Sequence, residues 1–101
     1  MLGDSLAAGY GLPQEATFPS QLEAALRAKG RDVTVINAGV SGDTTSGGLA
    51  RLEWVLASTP THVLVELGAN DMLRAVSPSL TRQNLDKIVK DLKAKNIRVM
   101  L

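Results

Sequence analysis

Residues 62–71 have the sequence His-Val-Leu-Val-Glu-Leu-Gly-Ala-Asn-Asp, and this stretch decides the fold class. Its first six residues, His62–Leu67, are mostly β-branched or apolar and predict a strand that ends at Gly68. Runs of the same kind at Val33–Ile36 and Ile97–Leu101 predict two more strands, and Met1-Leu2 predicts the end of a fourth. The chain is therefore organised around short strands of the kind found in a buried sheet.

The segments between these strands have the periodicity of amphipathic helices. Apolar residues recur at intervals of three and four, and Gly30, Pro60 and Asn96 predict where the helices end. Strands that alternate with helices predict an α/β fold with a parallel sheet covered on both faces. The stripes are Phe18, Leu22, Ala25 and Leu26; Leu49, Leu52, Val55 and Leu56; and Leu85, Ile88, Val89 and Leu92, the last with Asp86–Lys90 and Asp91–Lys95 pairs on its exposed side.

The composition is that of one globular domain, residues 1–101, with 45% hydrophobic residues and a net charge of +1. The 11 Lys and Arg are interspersed with 10 Asp and Glu, which gives no indication of a nucleic-acid or anionic-membrane partner. The absence of cysteine excludes disulfides and thiolate catalysis. No apolar run is long enough to cross a bilayer, and there is no signal-peptide pattern, which leaves export of a longer parent protein open. No metal-ligand cluster or nucleotide-binding motif is present, so we expect no metal and no cofactor.

Three polar positions follow predicted strands and form a candidate catalytic site. Gly3-Asp4-Ser5-Leu6 places a serine at a strand-to-turn junction, which is how α/β hydrolases expose a nucleophile. The loop Asn37–Thr45 contains Gly42, and Asn70 follows the third strand. Ligands of parallel sheets bind at the carboxyl ends of the strands. Ser5 N–H, Gly42 N–H and the Asn70 side chain would there form a three-donor oxyanion hole, in which one donor is worth roughly 2.7–4 kcal/mol.

The same residues have a purely structural interpretation. Gly-Asp-Ser is ordinary turn chemistry, Gly39 and Gly42 permit tight turns, and Asn70 can cap a short helix. A non-catalytic flavodoxin-like ligand-binding or interaction module is the alternative function, since loops at helix N-termini also hold phosphates or flavins. That alternative explains the glycines, but it does not explain why Ser5 coincides with Asn70.

These motifs resemble the first three blocks of the SGNH (GDSL) hydrolases. The matching residues are Gly3-Asp4-Ser5-Leu6, Gly42 within Asn37–Thr45, and Gly68-Ala69-Asn70-Asp71. A finer match, to the bacterial thioesterase I, arylesterase and lysophospholipase branch, is carried by Ser5-Leu6-Ala7-Ala8-Gly9-Tyr10, Gly42-Asp43-Thr44 with Gly48-Leu49-Ala50-Arg51-Leu52, and Val65-Glu66-Leu67-Gly68-Ala69-Asn70-Asp71.

The resemblance implies a flavodoxin-like three-layer αβα sandwich and hydrolysis of carboxylic esters or thioesters through an acyl-serine. The substrates it implies are small molecules: aryl esters, acyl-CoA or lysophospholipid acyl groups. Ser5 carries over as nucleophile and first oxyanion donor, and Gly42 and Asn70 carry over as the other two donors. In the related thioesterases the loop that corresponds to Met72–Ser79 borders the acyl pocket, so Met72, Leu73 and Val76 become candidate substrate contacts, with burial in the core as the alternative. The resemblance also suggests a periplasmic or secreted parent protein.

The family's fourth block, an Asp-x-x-His, is absent from this sequence. The single histidine, His62, opens its predicted strand, and six extended residues place it roughly 20 Å from Gly68 at ~3.3 Å per residue. Position 59 is Thr where the motif needs Asp. We therefore interpret His62 as non-catalytic and the chain as incomplete, with strand 1 clipped and the fifth strand and last helix missing. We expect a chain with little activity alone and an unpaired sheet edge that allows self-association.

Further expectations concern individual side chains. Asp4 and Asp43 are interpreted as carboxylates that hold their loops by accepting backbone N–H groups. Glu66, a carboxylate within an apolar strand, needs a partner, and Arg51 is the candidate. Tyr10 and Trp54 are interpreted as packing residues.

Overall fold

The computed structural model describes all residues, Met1–Leu101. Every predicted helical segment contains a helix, and strands occur at or next to each predicted run. In chain order the elements are β1 (Leu2–Gly3), α1 (Ser5–Ala8), a 3-10 turn (Gln14–Ala16), α2 (Phe18–Ala28), β2 (Ala38–Gly39), α3 (Thr45–Ala50), α4 (Leu52–Leu56), β3 (His62–Glu66), α5 (Ala69–Leu73), α6 (Pro78–Ala94) and β4 (Arg98–Met100).

The four strands form one parallel sheet in the order β2-β1-β3-β4. Leu2 of β1 lies opposite Ala38 of β2 on one side and Val65 of β3 on the other. This confirms the predicted α/β fold with a parallel sheet. The first, second and third strands therefore end at one edge, and the loops that follow them meet there.

The second strand does not lie where the sequence predicts it. Val33–Ile36 forms no strand, and the pairing residues are Ala38–Gly39. The ladder between β1 and β2 pairs Leu2 with Ala38 and Gly3 with Gly39, and the only bond from this side to the run is the one that the Met1 amine donates to the Ile36 carbonyl at 2.6 Å. Side chains of α2 hold this run instead: Arg27 Nε donates to the Val33 carbonyl at 2.9 Å, and the Glu23 carboxylate accepts the Val35 N–H at 2.7 Å.

The sheet has a core face and an opposite face. Along β3, Val63 and Val65 are buried whereas their neighbours are not, as alternation in a strand requires. On the opposite face α1 lies directly on the ends of β1 and β2, where a Cβ at Gly39 would be 2.2 Å from the Ala8 nitrogen. The core face is covered by α3, α4 and α6, and its buried cluster comprises Leu2, Ala38, Leu52, Val55, Val63, Val65, Ile88, Leu92 and Ile97.

Two predicted helices differ from expectation. Helix α2 forms and is closed by Gly30 at φ +80°, but its apolar stripe is outside the core, and Phe18 is 52% exposed. The helix packs on the 3-10 turn and on α1 rather than on the sheet. The second predicted helix is divided into α3 and α4 at Arg51, whose side chain turns towards the strand ends. None of the helices has both the length and the hydropathy that crossing a bilayer requires.

Candidate active site

Ser5 lies at the carboxyl end of β1, as the first residue of α1. Asp4 caps this helix, because its Oδ1 accepts the Leu6 N–H at 2.9 Å. The Ser5 N–H is one of the first-turn groups that have no acceptor within the helix. The Ser5 hydroxyl has no hydrogen-bond partner and is not buried. The strand-to-helix junction therefore presents a hydroxyl and an N–H side by side.

Gly42 occupies a turn between β2 and α3, with φ at +80°. This left-handed conformation favours glycine, and a Cβ here would lie 3.3 Å from the Arg74 guanidinium. The Gly42 carbonyl accepts Arg74 Nη2 at 2.9 Å, whereas the Gly42 N–H has no acceptor in the chain. The loop thus holds one backbone donor available for a ligand.

Asn70 connects the loops that carry the other two positions. It is the second residue of α5, whose N-cap is Gly68, and it does not cap this helix. Its Nδ2 donates to the Asp43 carbonyl at 2.9 Å and lies 3.5 Å from Asp4 Oδ2. Asp4 precedes Ser5 and Asp43 follows Gly42 in the chain, so the structure brings the three sequence-predicted positions to one place at the sheet edge.

The carboxylates of Asp4 and Glu66 lie beneath the Ser5 loop. Asp4 is 1% exposed, and its N–H donates to Glu66 Oε2 at 3.3 Å. Burial raises the pKa of the Glu66 carboxyl, and the neighbouring Asp4 carboxylate raises that pKa further. No cation pairs with Glu66, so the predicted Arg51–Glu66 pair is wrong. Glu66 lies on the sheet face opposite the core, opposite Gly3 in the register, and the Arg51 guanidinium is turned to other acceptors.

Arg51 pairs with Asp43, at 2.7 Å between Nε and Oδ2. Its Nη1 donates to the Ala38 carbonyl at 2.8 Å and its Nη2 to the Gly3 carbonyl at 3.0 Å. The expectation that Asp4 holds its loop through a backbone N–H is confirmed. Asp43 also holds its loop, but its carboxylate binds the arginine and accepts no backbone N–H.

A buried polar network that sequence reasoning missed lies behind Asn70. Asp71 is 1% exposed and accepts three hydrogen bonds, from Thr45 N–H at 2.7 Å, Thr45 Oγ1 at 2.5 Å and Thr81 Oγ1 at 2.8 Å. Burial raises the pKa of Asp71, but the bonds from Thr45 and Thr81 outweigh burial, and the pKa lies below its usual value. Asn84 Nδ2 donates to Thr45 Oγ1 at 3.0 Å. The signal in the sequence was Asn84 itself, a polar residue four positions before Ile88 on the apolar stripe of α6.

The apolar residues near the site are exposed. Met72 and Leu73 on α5 are 73% and 75% exposed, and Val76 is half-buried, so the first two are not core residues. The interpretation of Tyr10 and Trp54 as packing residues is wrong, because they are 84% and 74% exposed. Neither residue belongs to the buried cluster or to the partly buried residues that pack against it.

His62 lies where the sequence placed it, at the start of β3 and therefore at the strand end away from Asn70. It is exposed, and its ring Nδ1 lies 2.9 Å from Thr61 Oγ1. No group of three or more His, Asp or Glu residues is arranged to hold a metal ion. Two surface clefts, of about 480 and 380 Å³, are lined by α2 residues such as Gln21 and by residues around Pro60, and neither includes Ser5, Gly42 or Asn70.

A family profile described as GDSL-like Lipase/Acylhydrolase family matches residues 1–101. The chain is 50% identical over 102 residues to an arylesterase of Vibrio mimicus, a match that covers 100% of this chain and 51% of that protein. It is 45% identical over 102 residues to the thioesterase 1/protease 1/lysophospholipase L1 of Escherichia coli K12, covering 100% of this chain and 48% of that protein. The chain thus spans about half the length of the curated relatives it matches.

Solved structures show the same likeness. AlinE4, an SGNH-hydrolase family esterase, superposes with a TM-score of 0.92 at 50% identity, over 97% of this chain and 53% of that one. The psychrotrophic esterase EstA from Pseudoalteromonas sp., crystallised inhibited by monoethylphosphonate, superposes with a TM-score of 0.92 at 44% identity, over 99% of this chain and 55% of that one. The arrangement of strands and helices is therefore one found in known esterases.

Proposed function

The chain belongs to the GDSL-like lipase/acylhydrolase family, and on this premise we propose that it carries the nucleophile and the oxyanion hole of an enzyme that hydrolyses carboxylic esters or thioesters. Its curated relatives include an arylesterase and a thioesterase 1/protease 1/lysophospholipase L1. The observation that carries the proposal is the convergence at Asn70, whose amide reaches both the Ser5 loop and the Gly42 loop.

The roles follow from the positions of the groups. Ser5 Oγ attacks the carbonyl carbon of the ester, and its proton goes to a base. The oxygen of the tetrahedral intermediate accepts hydrogen bonds from Ser5 N–H, from Gly42 N–H and from the second Nδ2 hydrogen of Asn70, which leaves its long 3.5 Å contact to Asp4. Collapse of this intermediate expels the alcohol or thiol, which takes the proton that the base removed from Ser5, and leaves an acyl-serine, which water then hydrolyses. The unpartnered Ser5 hydroxyl and the unpartnered Gly42 N–H support these roles.

The acyl chain would lie along the exposed apolar residues of α5. Met72 and Leu73 follow Asn70 on this short helix and are exposed, and Val76 is half-buried just after it. Contact with an acyl chain would remove their apolar surface from water, which is worth about 25 cal/mol per Å². Aryl esters, acyl-CoA and lysophospholipids are the substrate classes we propose.

The 101-residue chain by itself should turn over esters very slowly. The sequence holds no Asp-x-x-His, and its one histidine is at the wrong end of β3. In subtilisin, removal of the base lowers turnover about 10⁶-fold. A polypeptide that includes this chain together with an Asp-x-x-His segment should be an active esterase.

The test is hydrolysis of p-nitrophenyl acetate, with labelling of the chain by a fluorophosphonate and mapping of the label. We expect slow hydrolysis and slow labelling at Ser5, both lost in Ser5→Ala and kept in the control Ser58→Ala, which removes the hydroxyl of an exposed residue after α4. His62→Gln should change neither rate. Asn70→Ala should lower the residual rate about 10²- to 10³-fold, the effect of removing one oxyanion donor.

Each alternative outcome is informative. Hydrolysis that survives Ser5→Ala would show that Ser5 is not the nucleophile, and ligand binding without any label would favour a non-catalytic module. If turnover is rapid and Ser5→Ala abolishes it, the chain is an active esterase without an Asp-x-x-His segment. Loss of activity in His62→Gln would reverse our interpretation of His62.

We also propose that the chain associates with itself through β4. This strand lies at one end of the sheet order, pairs only with β3, and carries Met100 at 58% exposure. An unpaired strand edge is a template for a second chain. Sedimentation should show species larger than the monomer; a monomer at all concentrations would contradict this proposal.

A further inference from the structure

Arg51 binds three of the segments that build the candidate site, although it is neither the proposed nucleophile nor one of the proposed oxyanion donors. It lies at the break between α3 and α4, and its side chain is only 18% exposed. We infer that Arg51 is a positioning residue that fixes the oxyanion hole. This inference rests on the proposed function, and its experiment is chosen so that the two can fail separately.

The three acceptors of Arg51 belong to three different segments. Nη2 donates to the Gly3 carbonyl, at the last residue of β1 and two positions before Ser5. Nη1 donates to the Ala38 carbonyl on β2, and Nε donates to the Asp43 carboxylate, in the residue after Gly42. One side chain therefore fixes the end of β1, the end of β2 and the loop with the free Gly42 N–H.

The position of Asn70 depends on the contact between Arg51 and Asp43. The carbonyl of Asp43 accepts Asn70 Nδ2 at 2.9 Å, while the carboxylate of the same residue accepts Arg51 Nε at 2.7 Å. Asp43 is therefore held from both sides, and a shift of Asp43 would move its Asn70 contact and the adjacent Gly42 N–H together. Arg51 lies behind the loops and needs no contact with substrate to act in this way.

A guanidinium suits this position and an ammonium does not. Arginine presents five N–H donors in one fixed plane, so it reaches three acceptors at once, and it stays charged at every relevant pH. Lysine could neutralise Asp43, whose side chain is 11% exposed, but its single nitrogen cannot span both strand ends as well. The Arg51→Lys variant therefore separates the charge from the geometry.

The test measures how well the hole holds a tetrahedral anion. The probe is phenylboronic acid, whose boron bonds to the serine oxygen while the hydroxyl proton goes to water, leaving a tetrahedral boronate in the hole. Binding to the ¹⁵N-labelled 101-residue chain is followed by NMR at the Gly42 N–H and at the Asn70 side-chain amide. The control is Arg82→Gln, which removes an exposed guanidinium on α6 that makes no hydrogen bond or ion pair.

We expect Arg51→Gln to weaken boronate binding about 10- to 100-fold per folded molecule, the size of one lost charge-assisted hydrogen bond. Arg51→Lys should weaken binding by less, and Arg82→Gln should leave it unchanged within twofold. The folded fraction of each variant is measured by circular dichroism. If Arg51→Gln does not fold, Arg51→Lys decides the question alone, because a well-folded lysine variant with unchanged affinity overturns the inference.

Failure of the proposed function gives a different result. If the boronate does not bind, or binds Ser5→Ala equally well, the proposed roles of Ser5 as nucleophile and of the three donors as an oxyanion hole are wrong. The positioning role is then decided in the ligand-free spectra, where Arg51→Gln must shift the Gly42 and Asn70 side-chain signals and Arg82→Gln must not. Unchanged signals in Arg51→Gln would overturn the inference whatever the boronate does.

Discussion

The buried network around Asp71 allows a quantitative prediction for Thr45→Val. Valine has nearly the shape of threonine, so the substitution leaves no cavity and replaces only the hydroxyl with a methyl group. Thr45 is 0% exposed, and its hydroxyl donates to Asp71 Oδ2 and accepts from Asn84 Nδ2. The variant therefore removes two hydrogen bonds from a site that water cannot enter.

The expected loss of stability is about 3 kcal/mol. A hydrogen bond to a charged group contributes about 1.5–3 kcal/mol, and leaving one of the two Nδ2 hydrogens of the buried Asn84 without a partner adds about 1 kcal/mol. Asn84 keeps its contact to Ser46 Oγ at 2.9 Å, and Asp71 keeps the Thr45 N–H and Thr81, so the network does not collapse. A loss of this size is a large part of the roughly 5–15 kcal/mol that stabilises a small domain.

The pH dependence of the loss identifies its cause. The folded pKa of Asp71 lies below its usual value, so the carboxylate contributes stability above the unfolded pKa of about 3.9, and this contribution is lost as the pH falls through the folded pKa. Thr45→Val removes a donor to the carboxylate and raises its folded pKa. The difference between variant and parent should therefore be largest near neutral pH and shrink below about pH 4.

The assay is urea denaturation followed by circular dichroism at several pH values. Thr81→Val is the matched control, since it removes one hydroxyl donor from the same carboxylate at a half-buried position and should cost about 1 kcal/mol. The reasoning is refuted if Thr45→Val costs no more than Thr81→Val. It is also refuted if the difference from the parent is independent of pH, because the charge of Asp71 would then have no part in it.

Two further predictions concern residues at the strand ends beneath the Ser5 loop, Glu66 and Gly39. Glu66→Gln should raise the free energy of unfolding at neutral pH and leave it unchanged in acid. The pKa of Glu66 is raised, so its ionisation next to Asp4 destabilises the fold as the pH rises. Melting temperatures that are the same for variant and parent at both low and neutral pH would contradict this. Gly39→Ala should destabilise the chain by about 1–3 kcal/mol, because the new Cβ would lie 2.2 Å from the backbone nitrogen of Ala8 and α1 must move. The measurement is the midpoint of urea denaturation. An unchanged midpoint would show that α1 is not packed on the strand ends.

Local pattern was sufficient wherever one element decides its own conformation. The β-branched run before Gly68 became β3, and the stripe around Ile88 and Leu92 became the buried side of α6. Asn96 ends that helix at φ +59°, and the predicted Asp86–Lys90 pair is present at 2.8 Å. Helical spacing of four residues brings such pairs together without help from the rest of the fold.

The sequence pattern did not predict the pairing of long side chains, or of a strand-like run, where several partners compete. Val33–Ile36 has strand composition, but a strand needs a neighbour, and the register gives pairing to Ala38–Gly39. Asp91 pairs with Lys87 rather than Lys95, although both lie four residues away. Exposure of Tyr10 and Trp54 likewise depends on what packs against them, which composition does not encode.

The linear pattern of residues was enough to predict the order of strands and helices along the chain and the positions of Ser5, Gly42 and Asn70 after three successive strands. Because parallel strands bring their carboxyl ends to one edge, this order already implied that the three positions meet. The bonds that hold these positions became visible in the folded chain: Asn70 donates to the Asp43 carbonyl, and Arg51 pairs with Asp43 rather than with Glu66. These bonds join residues far apart in the chain, and their geometry exists only once the sheet has formed.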